Sequence, residues 1–340
     1  MRLHRLNCIS TRLPGGRLLH GASANPGLCT SHCLAIETGD GLLLVDTGLG
    51  LGDVMDPQQR LAPIVRSLLE PDLRPEMTAL RQIERMGFRA DDVRDIVLTH
   101  LDFDQVGGLD DFPRARVHVL ARERDHALAR RGWGAKQRYR PTQWSTRNRW
   151  VAYDRMSVAP WLGLSCVREL TGVPEGIVLV PLPGHTPGHC GVAVRADDRW
   201  HLHAGDAYGD ARELDAQPQC RFGMRMYQSL TQSNARARIA TQRVLRKLHA
   251  DHPDVIISCT HDALEFERLA GRPPNALPDA IATTASQDPY TRKVLRAPRE
   301  VTLAPRSVPG IEVVDHEGDA TFDFDTLARP AIDRPPPPRA

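Results

Sequence analysis

Thr99-His100-Leu101-Asp102-Phe103-Asp104-Gln105-Val106-Gly107-Gly108 directly follows the apolar run Ile96-Val97-Leu98. That run reads as a buried strand delivering the chain to His100. His100, Asp102 and Asp104 alternate with Leu101 and Phe103, so a turn leaving the strand aims three ligand-type groups one way and two apolar groups into the core. Three later loops repeat the arrangement: Pro183-Gly184-His185-Thr186-Pro187-Gly188-His189, Ala204-Gly205-Asp206 and Ser258-Cys259-Thr260-His261-Asp262. Each follows a predicted strand and carries a His or an Asp. A lone buried His is ordinarily a satisfied hydrogen-bonding residue. Four strand ends that supply imidazoles and carboxylates together point to one metal site.

Around these loops the chain alternates strand-like and helix-like patterns. Ser31 to Ile36 and Gly41 to Val45 flank Thr38-Gly39-Asp40-Gly41 and read as a β-hairpin, which Asp46-Thr47-Gly48 breaks off. Helical spacing appears over Leu61 to Leu69, over Met77 to Met86 with Gly87 as a stop, and over Asn234 to Leu248. Further strands are expected at Val117 to Leu120, Ile177 to Pro181, Gly191 to Val194, Trp200 to Ala204 and Val255 to Ile257. Residues 1–268 read as one domain and 269–340 as a largely irregular extension with a disordered end. Twelve of the 27 prolines fall in the last 70 residues, ending in Pro335-Pro336-Pro337-Pro338, and proline withdraws backbone donors.

Residues 114–155 read as an insertion near the pocket. They hold twelve Lys/Arg against three acids, interleaved with Trp133, Tyr139, Trp144, Trp150 and Tyr153. Two readings stand: a solvated face whose aromatics pack on the core, or a pocket wall that attracts an anionic or carbonyl-bearing substrate. Over the whole chain, 44 Lys/Arg against 42 Asp/Glu leave a net charge of +2, so no nucleic-acid partner is expected. No stretch approaches the ~20 apolar residues of a membrane span, and no membrane partner is expected. Seven cysteines, an odd number, do not make a disulfide framework, and the expected location is cytoplasmic. The expected partner is a small-molecule substrate, with a homodimer left open.

Asp46-Thr47-Gly48, the His100 to Gly108 run, Gly184-His185-Thr186-Pro187-Gly188-His189, Gly205-Asp206 and His261 resemble the metallo-β-lactamase-fold superfamily of metallohydrolases. The resemblance implies an α+β fold, a four-layer αββα sandwich with a one- or two-metal site at one edge. It places His100, Asp102, His185 and Asp206 at the first metal position. It places Asp104, Gln105, Asp206 and His261 at the second, with Asp206 as the bridge. It makes His189 a structural residue and Asp46 a hydrogen-bonding partner near the ligands. Asp102 and Gln105 stand where the superfamily usually has His. Asp102 lowers the formal charge of the site by one and shifts preference from zinc towards harder ions. The cofactor implied is one or two divalent cations, zinc first, with manganese or iron admitted by Asp102. The opening strands, Cys33 to Thr38 and Leu42 to Gly48, look like those of the acyl-homoserine-lactone lactonase branch.

The chemistry implied is hydrolysis of a small ester or lactone, in which a metal-bound hydroxide attacks the carbonyl. Asp104 would orient the nucleophile and carry its proton to the leaving group. Tyr208, two residues beyond Asp206, would donate to the developing oxyanion. Two rival functions remain on sequence grounds: a diiron redox protein using the carboxylate-rich ligation, and a metal-poor binding protein of the same fold.

Overall fold

The apolar runs that lead into the ligand loops are strands with both faces covered. The computed structural model describes residues 1–21, 25–144 and 149–280. In chain order the strands are β1 (Arg2–Asn7), β2 (Thr11–Arg12), β3 (Leu28–Cys29), β4 (His32–Thr38), β5 (Gly41–Val45), β6 (Val93–Val97), β7 (Arg116–Leu120), β8 (Arg149–Tyr153), β9 (Ile177–Pro181), β10 (Cys190–Ala196), β11 (Arg199–His203) and β12 (Ile256–Ser258). The helices are α1 (Gly16–His20), α2 (Leu51–Met55), α3 (Pro57–Arg60), α4 (Pro63–Leu68), α5 (Ala79–Arg85), α6 (Phe103–Val106), α7 (Ala121–Ala129), α8 (Gly132–Arg138), α9 (Phe222–Thr231), α10 (Ala235–Asp251) and α11 (Ala263–Ala270).

Two mixed sheets carry the architecture, one ordered β1-β4-β5-β6-β7-β8 and the other β12-β11-β10-β9. Period-two alternation sorts the side chains into layers. Leu34, Ile36, Leu43, Val45 and Val97 of the first sheet pack against Leu179, Cys190, Val192 and Val194 of the second. The opposite face of the first sheet, with Leu42, Leu44 and Ile96, packs on Leu80 and Ile83 of α5. The outer face of the second, with Val178, Val180 and Leu202, packs on Leu245 and Leu248 of α10. Helices therefore cover both outer faces, which gives the αββα sandwich. Such double burial explains the near-continuous apolar runs in β5, β6 and β9.

Residues 114–155 are not an appendage to this frame. β7 and β8 are neighbouring parallel strands of the first sheet, and α7 and α8 form their crossover. A parallel pair needs a long connection, and this one happens to be Arg-rich. At the other end, α11 stops at Gly271, and the chain to residue 280 lies along the core. Asn7 donates to the Pro274 carbonyl (2.7 Å), Arg272 to the Arg5 carbonyl (2.6 Å), and Leu277 packs near Leu61 and Val65. The Pro-rich segment beyond 280 lies outside the described residues.

Candidate metal centre

β6, β9, β11 and β12 end at one edge of the sandwich, and each releases its ligand-type residues there. His100 follows β6, Asp102 precedes the first turn of α6, and Asp104 lies within that turn. His185 follows β9, Asp206 follows β11 and His261 follows β12. Two glycines permit the approach. Gly184 (φ +138°) lies against the backbone of Arg238, and a Cβ there would fall 2.3 Å from the Arg238 nitrogen. Gly205 (φ +54°) sits beneath the His189 ring, where a Cβ would come within 2.6 Å of Nε2.

The loops converge on Asp206. Its Oδ2 lies 3.1 Å from His261 Nε2, 3.4 Å from His185 Nε2 and 3.8 Å from His100 Nε2. Asp102 Oδ2 lies 2.9 Å from His185 Nε2 and 3.5 Å from His100 Nε2. Ligand atoms of His100, Asp102, His185 and Asp206 all fall within 4.8 Å of one another, and all four residues are buried. Asp104 Oδ2 stands 3.6 Å from His261 Nε2 on the second side. The Gln105 amide, in the orientation that satisfies both its ends, donates to the carbonyl and Oδ1 of Asp104, each at 2.8 Å. Gln105 thus holds Asp104, a weaker role than the imidazole the superfamily usually has there.

Surrounding hydrogen bonds fix which nitrogens face the cluster. Thr99 Oγ1 donates to Asp46 Oδ2 (2.7 Å), so its remaining contact, His100 Nδ1 at 2.9 Å, must be the donor. His261 Nδ1 donates to the Thr30 carbonyl (2.8 Å). Both rings therefore turn Nε2 inward as the ligand atom. His100 Nε2 is fully buried and has no hydrogen-bond partner, as a nitrogen reserved for a cation would. His189 keeps a supporting role. Its Nδ1 donates to the Leu182 carbonyl (2.8 Å) and its Nε2 accepts the Asp206 N–H (2.9 Å). Three imidazoles and three carboxylates suit divalent cations of the zinc, manganese or iron type.

Without a cation the charges settle among themselves. Burial pushes the Asp206 carboxyl up, but His261, His185 and His100 together hold it well below its usual range. Burial likewise opposes protonation of His100 and His261. The carboxylates of Asp102 and Asp206 outweigh it at His100 and raise its pKa to about 9. Asp206 and Asp104 raise that of His261 to about 10. Asp104, where burial dominates, rises to about 6.

A model of the metallo-beta-lactamase superfamily matches residues 26–269. The chain belongs to that superfamily. A probable metallo-hydrolase of Mycobacterium tuberculosis is 40% identical over 263 residues, covering 77% of this chain and 80% of its own. An N-acyl homoserine lactonase of Bacillus thuringiensis is 26% identical over 185 residues, covering 52% of this chain and 66% of its own. Among solved structures, an N-acyl homoserine lactone hydrolase with N-hexanoyl-L-homoserine at its catalytic metal centre superposes with a TM-score of 0.59 at 20% identity. The superposition covers 78% of this chain and 95% of the other. The protein is a metal-dependent hydrolase of this superfamily.

Three residues that no superfamily motif marks complete the site. Glu123 on α7 is fully buried and ties two ligand loops together. Its Oε1 accepts the Leu101 N–H (3.0 Å), and its Oε2 accepts Thr186 Oγ1 (2.6 Å) and the Gly188 N–H (3.2 Å). Arg138, from the end of α8, places Nε 3.1 Å from Asp102 Oδ1 and donates to the carbonyls of His185 and Thr231. Its positive charge offsets the negative charge that Asp102 brings to the cluster. Burial pushes the Asp102 carboxyl up, yet Arg138 first and then His100 hold it well below the usual range. Tyr227 on α9 stacks edge-on against His261, with ring centroids 5.8 Å apart.

The oxyanion role expected of Tyr208 does not fit its placement. Tyr208 is buried with Ala204 and Leu245, and its hydroxyl donates to Glu265 (3.0 Å). A side chain two residues past Asp206 points away from the ligands into the outer layer of the second sheet. Tyr227 lines the cavity instead, a space of about 600 Å³ that opens on Asp102 and Arg138 and is walled by Leu13, Val65 and Met226.

Proposed function

We propose that the protein hydrolyses a small lactone or carboxylic ester whose acyl part is apolar. The observation that carries this reading is the apolar cavity opening directly on Asp102 and Arg138, beside the converging imidazoles. The lactonase relatives support the choice of a lactone carbonyl. His100, Asp102, His185 and Asp206 would hold one divalent cation, and Asp104, Asp206 and His261 a second. Such cations polarise a carbonyl and lower the pKa of bound water. Zinc is the first choice, with manganese or iron admitted by the carboxylate-rich set.

The chain's own residues do the rest. The apolar walls take the acyl part and exclude water. Asp104 accepts a proton from the attacking water at a carboxylate oxygen and returns it to the departing alkoxide oxygen. Burial, then the carboxylates of Asp104 and Asp206, push the Tyr227 phenol well up, so it stays neutral and able to donate to the carbonyl oxygen. Water adds across the C–O bond to give a carboxylic acid and an alcohol. The seven cysteines are all free thiols, which fits a reducing compartment such as the cytoplasm.

The test is a hydrolysis screen by pH-stat after reconstitution with zinc, manganese or iron, across acyl lactones, aryl esters, thioesters and phosphoesters. Turnover of lactones or esters that rises with acyl length is the expected result. Turnover confined to phosphoesters, or none with any cation, would overturn the proposal.

A further inference from the structure

Four short helices meet at the mouth of the cavity, and their outer residues differ from the rest of the surface. Leu18 on α1, Trp133 on α8 and Leu230 on α9 are 90%, 70% and 79% exposed. Ile64 and Leu68 on α4, with Phe222 and Met226 on α9, are exposed beside them. Seven of the thirteen large exposed apolar side chains among the described residues thus sit on helices of 5, 6, 7 and 10 residues. Single exposed apolar residues are ordinary, but a collar of them around one opening marks an interaction site.

The charge on these helices is also one-sided. They contain no Asp or Glu, and they carry Arg17, Arg66, Lys136, Arg138 and Arg225. Arg138 is turned inward to Asp102, and exposed Arg131 immediately precedes α8. The chain as a whole is nearly balanced, so this cationic rim is local. Ile64, Leu68, Trp133, Met226 and Leu230 all line the same cavity, and so the collar is continuous with its mouth.

We propose that this collar docks on an anionic phospholipid surface. Large apolar side chains would enter the headgroup boundary, Trp133 at its level, while Arg17, Arg131, Lys136 and Arg225 meet lipid phosphates. The docking is peripheral, since no described helix is long and apolar enough to cross a bilayer. A continuous apolar span would show in the sequence, and this face has none. This face is assembled from segments far apart in the chain. Docked in this way, the mouth would open towards the lipid, from which an apolar acyl substrate could enter. The docking itself does not rest on the hydrolytic reading.

The experiment is flotation of the full chain with vesicles of phosphatidylcholine alone and of phosphatidylcholine mixed with phosphatidylglycerol. Binding to the mixed vesicles is expected, weaker by about fivefold for each cation that loses its anionic lipid, and weakened by salt. Leu18→Ser with Phe222→Ser should lower partition at least about tenfold, with unchanged thermal melting and metal content. Arg131→Glu with Arg225→Glu should do the same through charge, and it stands in should the first pair fail to fold. The proposal is overturned if the wild-type chain ignores mixed vesicles or if both folded variants bind them equally well. It is also overturned if light scattering shows a dimer that the Leu18→Ser, Phe222→Ser pair dissociates, because a second copy then covers the collar.

Discussion

Glu123→Ala removes the carboxylate that joins the His100 loop to the His185 loop. Three buried donors, the Leu101 N–H, the Thr186 hydroxyl and the Gly188 N–H, lose their acceptor together. At about 1–3 kcal/mol for each unsatisfied group, and allowing for relaxation, the expected cost is about 3–5 kcal/mol. For a domain of this size that lowers the melting temperature by roughly 10 °C. Freed loops also misplace His100 and His185, and loss of such a supporting group weakens metal affinity by about 10- to 100-fold. Glu123→Gln keeps one acceptor oxygen but turns an amide towards donors, so its losses should fall between. Calorimetry of the cation-free protein gives the first quantity, and competition with a chromogenic chelator gives the second. Wild-type melting and wild-type zinc affinity in folded Glu123→Ala would refute the reasoning.

Arg138→Met should destabilise the cation-free protein by about 3–5 kcal/mol, because Asp102 stays buried without its partner. The same change removes a charge that repels the cation, so the zinc-induced rise in melting temperature should exceed that of the wild type; an equal or smaller rise would contradict this. Tyr227→Phe should lower kcat for a lactone by about tenfold or more with metal content intact, and unchanged kcat would exclude the phenol from the reaction. The pH dependence has a defined sign. His100 and His261 have pKa values raised to about 9 and about 10, so their stabilising contribution to the cation-free protein is complete below about 6.5 and is lost as pH rises through 9 to 10. Cation uptake near neutral pH must displace those protons. Zinc affinity should therefore climb with pH, and calorimetry in two buffers should register proton release; pH-independent uptake would count against these ligands.

The ligand loops were legible because each follows a strand buried on both faces, so the apolar run announces where the chain emerges. His100, His185, Asp206 and His261 could be placed at one edge through the superfamily resemblance, since strand ends alone do not say which edge each loop reaches. The supporting residues could not. Glu123 lies in the Arg-rich segment between β7 and β8, where an acid among many cations reads as surface. Arg138 and Tyr227 belong to α8 and α9, several of whose apolar residues face a cavity and solvent rather than a core. β1 escaped for a related reason. Arg2, His4 and Arg5 suggest a solvated segment, yet Arg5 is buried between His32 and His201. Tyr208 enters the outer layer instead of the site, because spacing along the chain says nothing about which layer a side chain enters.

Metal content tests the convergence of imidazoles and carboxylates most directly. Wild-type protein and Asp206→Ala, each stripped of cations and equilibrated by dialysis against buffered zinc, are analysed by mass spectrometry. Asp206 Oδ2 is the atom approached by three imidazoles, so the wild type should retain at least one zinc per chain and the variant almost none. Equal retention by both proteins, or none by the wild type, would contradict the account.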